Sequence, residues 1–152
     1  MITLVNGTSS SGKTKQKENL VIRDAIASDF IEIQDIYAHY VSNTTVSLEE
    51  VPPTVDEMLV CWKHSTDKSL PYLVAKINGR VVGYAYAFQY RPRTAYRFTI
   101  EESVYVSRNY KGLGIGYHLL SALIKQCQEK GYKQMLAVIA GTDNLASIKF
   151  HN

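Results

Sequence analysis

Lys111-Gly112-Leu113-Gly114-Ile115-Gly116 lies between a strand-like run and a helix-like run, and its reading decides the fold. Upstream, Tyr96, Phe98, Ile100, Glu102, Val104 and Val106 alternate with Arg97, Thr99, Glu101, Ser103 and Tyr105. That period of two predicts a strand over 96–106 with one mostly apolar and one mostly polar face. Downstream, Leu120, Leu123, Ile124 and Cys127 recur at helical spacing, and Gly131 supplies a stop. Residues 135–140 then read as a buried strand. Glycines in such a strand–turn–helix junction let the backbone approach an anion. The helix N-terminus adds free N–H groups and partial positive charge, so the stretch reads as a pyrophosphate cradle.

Outward from this centre the chain organises itself by the same rules. Leu20-Val21-Ile22-Arg23 is a short strand. Ser28 or Asp29 can cap the next element, with Asp29-x-x-Glu32 resembling a capping box, and Phe30, Ile33, Ile36, Tyr37 and Tyr40 line one side of the helix. Pro52-Pro53-Thr54-x-x-Glu57 starts a second helix with Met58, Leu59 and Trp62 on its apolar side. Strands over 72–77 and 81–88 flank Asn78-Gly79, a type I′ hairpin signal. Arg91-Pro92-Arg93-Thr94 is a loop, and residues 144–150 start a last short helix. The order β-α-α-β-β-β-α-β-α predicts an α/β (α+β) sandwich. A dinucleotide-binding doubly wound sheet is disfavoured, because the glycine turn comes late and no acid follows a second strand.

A chain of 152 residues makes one domain with a core of its own. At 45% hydrophobic and 20% charged it is not a disordered polyampholyte, and no apolar run approaches a membrane span. The N-terminus lacks an apolar signal region, and Cys61 and Cys127 match neither disulfide nor zinc spacing. A cytoplasmic setting and no metal follow as expectations. Of the 17 basic residues, Lys13, Lys15 and Lys17 fall in residues 1–17 with no acid, leaving 14 against the 14 acids of the body. The net +3 therefore belongs to the tail, and the neutral body shows no nucleic-acid stripe.

Within that tail, Gly7-Thr8-Ser9-Ser10-Ser11-Gly12-Lys13-Thr14 matches the P-loop pattern, and Ile2-Thr3-Leu4-Val5 precedes it as a strand would. A phosphate loop needs a helix after it, and Lys15-Gln16-Lys17-Glu18-Asn19 gives barely one turn. The favoured reading is a flexible extension over 1–17 followed by the domain over 18–152. A nucleotide-binding protein is the alternative.

Lys111-x-x-Gly114-x-Gly116 resembles the [QR]-x-x-G-x-[GA] motif of the GNAT superfamily of acetyl-CoA-dependent N-acetyltransferases, with Lys at the first position. Three further blocks sharpen the resemblance. They are Ile36-Tyr37-Ala38-His39-Tyr40-Val41 with Thr45 and Ser47, then Ala95-Tyr96-Arg97-Phe98-Thr99-Ile100-Glu101 running into Val104-Tyr105-Val106, and Asn144-x-x-Ser147-Ile148-Lys149-Phe150-His151. Together they are similar to the phosphinothricin and methionine sulfoximine acetyltransferases over about residues 20–152. The resemblance implies the GNAT acyl-CoA N-acyltransferase fold, a central mixed sheet flanked by helices. Acetyl-CoA would be the co-substrate, a small amino-acid-like amine the acceptor, and a homodimer the assembly. Val104, Tyr105 and Val106 would pair with the pantetheine arm. Lys111, Gly112, Leu113, Gly114, Ile115, Gly116 and Tyr117 would hold the pyrophosphate, and Asn144 would bind near the pantetheine. Arg91, Arg93 and Tyr96 would meet the acceptor. Family members continue past the His151 position into two more strands, so the domain reads as C-terminally truncated, with the 135–140 strand left as an edge. A non-catalytic acyl-CoA module is the corresponding alternative.

The chemistry asks for a base, because an amine is mostly protonated at neutral pH and must lose a proton before attacking a thioester. Glu101 matches the family's base and shares a face with Arg97, Thr99 and Tyr105. Glu102 falls with Phe98, Ile100 and Val104, where burial would raise its pKa, and a bulge would exchange the two. The resemblance puts His151 at the family's position near the sulfur, where it would serve the departing thiolate. His39 reads as a helix-surface residue, with acceptor-site lining as the alternative, and His64 and His118 read as surface. Most of the 11 tyrosines are assigned to packing.

Overall fold

The computed structural model describes residues 2–4, 19–139 and 145–152. Strands β1 (Ile2–Leu4) and β2 (Leu20–Asp24) precede helices α1 (Phe30–Asn43) and α2 (Val55–Asp67). Strands β3 (Tyr72–Ile77), β4 (Arg80–Gln89) and β5 (Thr99–Val106) follow, then α3 (Ile115–Glu129), β6 (Gln134–Ala137) and α4 (Leu145–His151). They form a six-stranded sheet in the order β1-β2-β3-β4-β5-β6. Neighbours are antiparallel up to β5, and β6 runs parallel to β5. The sheet is mixed and flanked by helices, as the resemblance implies.

Alternation along the strands splits the core into two layers. Leu73, Ala75, Val82, Ala85, Ala87 and Ile100 pack with Ile115, Leu119, Leu123 and Cys127 of α3. On the opposite face Tyr72, Val74, Val81 and Tyr84 pack with Phe30, Ile33, Ile36 and Tyr40 of α1 and Met58 of α2. Leu73, Val74, Tyr84, Leu119 and Leu123 are all within 1% of full burial, so each layer is sealed. Gly83 sits where α3 crosses the sheet. A Cβ there would stand 3.0 Å from the Tyr105 carbonyl oxygen and 3.1 Å from Leu119 Cδ1, so a side chain would force its neighbours to give by a few tenths of an ångström.

Local signals are met in several places. Asn78 (φ 51°) and Gly79 (φ 79°) both take the left-handed conformation that a type I′ turn requires. The Thr54 hydroxyl accepts from Glu57 N–H at 3.2 Å, and the Glu57 carboxylate accepts from Thr54 N–H at 2.7 Å. That is a reciprocal capping box on α2.

Other expectations are corrected. Asp29 does not cap α1. Its carboxylate accepts two hydrogen bonds from the Arg23 guanidinium (2.7 and 2.9 Å) and one from Ile26 N–H (2.9 Å), with the Lys76 ammonium at 3.8 Å. Glu32 instead accepts from Val81 N–H at 3.0 Å, tying α1 to β4. Cationic partners from β2 and β3 outcompete the helix end for the buried carboxylate. The strand expected from residue 96 begins at Thr99, because residues 94–96 form a 3₁₀ turn with Arg97 N–H bonded to the Thr94 carbonyl at 3.1 Å. Phe98 is consequently outside the core, under the Arg97 guanidinium at 4.5 Å. On α3 the buried stripe is Ile115, Leu119, Ala122, Leu123 and Cys127, while Ile124 is exposed. The strand expected over 135–140 is shorter, begins at Gln134, and is mostly exposed rather than buried. Among the described residues it pairs only with β5. The P-loop-like residues 7–14 lie outside the described residues.

Burial pushes the Asp29 carboxyl up, but the Arg23 bonds, the Ile26 N–H and the Arg23 and Lys76 charges outweigh it and hold the group below its ordinary range. A lowered carboxyl contributes stability above its unfolded value that is lost as pH falls through its folded one. Asp29→Asn is expected to cost about 3 kcal/mol at neutral pH. In acid-unfolding curves its deficit should shrink as pH falls below about 4. A deficit that stays constant with pH would assign the loss to packing alone.

Candidate active site

Strand β5 pairs with β4 in unbroken register, from Ile100 opposite Gln89 to Val106 opposite Gly83. With no bulge, simple alternation holds. Ile100, Val104 and Val106 pack on the α3 side, and Tyr105 packs on the α1/α2 side. Glu102 therefore belongs to the α3 side and Glu101 to the α1/α2 side. β6 follows β5 only from Thr99 opposite Gln134 to Glu102 opposite Ala137. Beyond that point residues 103–106 have no strand neighbour on this side among the described residues. The two parallel strands fork there, leaving a row of β5 backbone groups open.

The glycine turn stands beside the fork. Gly112 (φ 77°) and Gly114 (φ 79°) are left-handed, which a side chain would resist although the space around both is open. The first amide bonded inside α3 is His118 N–H, to Gly114 at 3.1 Å. The N–H groups of Ile115, Gly116 and Tyr117 thus head the helix without intrahelical acceptors. A Cβ on Gly116 would stand 3.2 Å from the Phe150 ring, so this glycine also lets α4 lie against the head of α3. Ile115 is buried in the core and offers the site only its backbone, while Leu113 and Tyr117 are exposed. The Lys111 ammonium sits 5.0 Å from the centre of the Tyr40 ring. The Tyr40 hydroxyl in turn donates to the Val106 carbonyl, fixing α1 against the end of β5.

On the α1/α2 face Glu101 is half-buried, and burial raises its carboxyl above the ordinary range. Phe88 is its cross-strand neighbour. The same face carries a ladder of phenols, of which Tyr105 is also expected against the pantetheine arm and the others in packing. Tyr72 and Tyr86 stack at 4.8 Å, Tyr84 and Tyr105 at 5.3 Å, and Tyr37 meets Tyr105 edge-on at 5.1 Å. Burial pushes the Tyr86 hydroxyl up to about 12 and those of Tyr72, Tyr84 and Tyr105 upward as well, so they stay protonated donors. The signal in the sequence is the i, i+2 pair Tyr84 and Tyr86 with Tyr72 opposite Tyr86 across the hairpin, which also reads as packing.

On the α3 face Glu102 is buried, as alternation predicts. His151 Nε2 lies 2.6 Å from Glu102 Oε1, a pairing no spacing in the sequence announces. Burial raises the Glu102 carboxyl, the His151 charge and hydrogen bond oppose this, and Glu101 adds to it. Arg91 stacks over Tyr90 (5.0 Å) and Tyr96 (5.8 Å), so Arg91 and Tyr96 come together, while Arg93 is exposed. His39 lies within hydrogen-bond distance of Asn43 on the outside of α1. Asn144 lies outside the described residues.

The site thus brings together the end of β6 on a mixed sheet, a glycine-headed helix and carboxylates on both faces of β5. The chain matches the acetyltransferase (GNAT) family over residues 33–152 and belongs to that family. It is 45% identical over 131 residues to a phosphinothricin N-acetyltransferase of Alcaligenes faecalis, covering 86% of this chain and 65% of that protein. It is 37% identical over 131 residues to an L-methionine sulfoximine/L-methionine sulfone acetyltransferase of Pseudomonas aeruginosa, covering 86% of this chain and 76% of that protein. A GNAT superfamily phosphinothricin acetyltransferase from Sinorhizobium meliloti, solved with AcCoA, superposes with a TM-score of 0.84 at 44% identity. That match covers 87% of this chain and 71% of the other. The chain thus spans about two thirds of the length of the Alcaligenes relative. No helix among the described residues is long and apolar enough to cross a membrane.

A carboxyl raised in the folded state favours folding below its unfolded value, and that contribution is lost as pH rises through the folded one. Glu102→Gln is therefore expected to gain stability relative to the unaltered chain as pH rises from about 4 towards 7. Thermal unfolding midpoints at each pH measure this, and a falling difference would contradict it.

Proposed function

We propose that the chain transfers the acetyl group of acetyl-CoA to the α-amine of a small amino-acid-like acceptor of the phosphinothricin or methionine sulfoximine type. The observation that supports this most is the fork at residues 103–106 beside the α3 head, within a family whose relatives carry those acceptors in their names.

In this reading the open backbone of Val104, Tyr105 and Val106 pairs with the pantetheine arm. The N–H groups from Ile115 to Tyr117 bind pyrophosphate, with Lys111, Gly112, Leu113, Gly114 and Asn144 completing the cradle. Glu101 takes a proton from the acceptor ammonium, directly or through water. Burial raises its carboxyl above the ordinary range, which makes it a stronger base than an exposed carboxylate. The freed amine attacks the thioester carbon in a ternary complex, and a β5 backbone N–H stabilises the developing oxyanion. The C–S bond then breaks, the nitrogen's remaining surplus proton passes through water to the departing thiolate, and His151 is the side chain assigned to assist that transfer. Tyr96 and the guanidiniums of Arg91 and Arg93 answer the acceptor's carboxylate and second anionic group. A homodimer and a cytoplasmic setting belong to the same proposal.

The test is thiol release from acetyl-CoA with phosphinothricin, methionine sulfoximine and a panel of amino acids. Glu101→Gln is expected to lower kcat about 10²-fold or more while leaving acetyl-CoA affinity intact, and to lose the acidic limb of the pH profile. Unchanged turnover in that variant would remove Glu101 as the base.

A further inference from the structure

Between the last turns of α2 and the end of β4 lies a cavity of about 310 Å³, of whose lining the reading above uses Arg91 alone. Leu70, Phe88 and Pro92 give it an apolar wall, and Lys68, Arg91 and His64 give it three basic side chains. Among the described residues no acid lines it. The two permanent cations are held in place. Lys68 Nζ donates to Gln89 Oε1 at 3.0 Å, and Gln89 Nε2 donates to the Arg91 carbonyl oxygen at 3.1 Å. Two of the three ammonium hydrogens remain for a ligand. The Arg91 guanidinium stacks 5.0 Å from the centre of the Tyr90 ring and 5.8 Å from that of Tyr96, which fixes its plane and leaves its N–H edge open.

Neither charge is cancelled. Gln89 is neutral, and Asp67, next to Lys68 in the chain, is engaged by Lys63 at 3.1 Å. Among the described residues no carboxylate lies within ion-pair distance of Lys68 or Arg91. Phe88 ties the cavity to the chemistry, because it lines the cavity and is the direct cross-strand partner of Glu101. Such partners share a face, with Cβ atoms about 5 Å apart. One ring therefore separates the base from the cations. An acceptor whose ammonium meets Glu101 can run its methylene chain along Phe88 and place its terminal group at Lys68 and Arg91. Two cations without a counter-charge favour an anion at that end.

We propose that this cavity is the subsite for an anionic side-chain terminus of the acceptor, and that Lys68 is the specificity-determining residue that favours a phosphinate or carboxylate there over a neutral sulfone. The proposal rests on the acetyl-transfer reading and goes beyond it by choosing between the two acceptor types that the relatives' names carry. Lys68 lies outside every block of sequence that carries the family resemblance.

Steady-state kinetics on the full chain test it with phosphinothricin, whose phosphinate is anionic, and methionine sulfone, whose side chain is neutral. The preference is the ratio of their kcat/KM values. Lys68→Gln is expected to lower that ratio about 10-fold, the scale of one hydrogen bond to a charged group. Lys125→Gln removes the same charge from the exposed side of α3, away from the cavity, and should leave the ratio unchanged. An unchanged ratio in Lys68→Gln overturns the proposal, as does an equal fall in Lys125→Gln, which would report net charge alone. Turnover of methionine sulfone alone overturns it too. If phosphinothricin alone turns over, its own kcat/KM takes the place of the ratio. If neither turns over, the acetyl-transfer reading fails for these acceptors, and calorimetric titration with phosphinothricin decides the cavity. Affinity about 10-fold weaker in Lys68→Gln than in the unaltered chain upholds the subsite. Equal affinity, or no binding to the unaltered chain, overturns it.

Discussion

The unbroken register between β4 and β5 is the constraint on which the rest of the site depends. It sends Glu101 towards the phenols of the α1/α2 layer and Glu102 towards α3 and α4. A slip of one residue would exchange the two carboxylates and turn Tyr105 into the α3 layer. Two adjacent acids can have separate environments because alternation in a strand is strict. The aromatic layer that seals one face and the aliphatic layer that seals the other hold that register in place.

The second constraint is where β6 stops. Parallel pairing ends at Ala137 opposite Glu102, so among the described residues no strand continues beside the β5 backbone next to the head of α3. Gly83 lets α3 press against the sheet, and Gly116 lets Phe150 press against α3. These close approaches bring the helix N-terminus, the open strand edge and α4 into one region. Tyr40 reaches from α1 to the Val106 carbonyl, so the strand end is fixed from the opposite layer too.

Much of this was legible in the sequence because it depends on local rules. Residues 111–116 announced the glycine-headed helix, Asn78-Gly79 the hairpin, and Thr54-x-x-Glu57 a capping box that forms as written. Burial of Glu102 followed from alternation alone. What escaped depends on partners distant in the chain. Asp29 looked like a helix cap until Arg23 and Lys76 claimed it from neighbouring strands. The period-two pattern ran back to residue 96, but the 3₁₀ turn over 94–96 ended the strand early. The Glu102–His151 contact joins residues 49 positions apart and has no spacing signature. The P-loop-like residues 7–14 and Asn144 lie outside the described residues, and the comparisons lend the nucleotide-binding alternative no support.

In the proposed reading acetyl-CoA lies along the β5 edge beyond the end of β6, with its pyrophosphate at the α3 head. Hydrogen exchange followed by mass spectrometry, with and without saturating acetyl-CoA, tests it most directly. Slowed exchange concentrated in residues 103–106 and 114–117 is the predicted result. Binding that leaves those amides unprotected, or protects another part of the sheet instead, would contradict it.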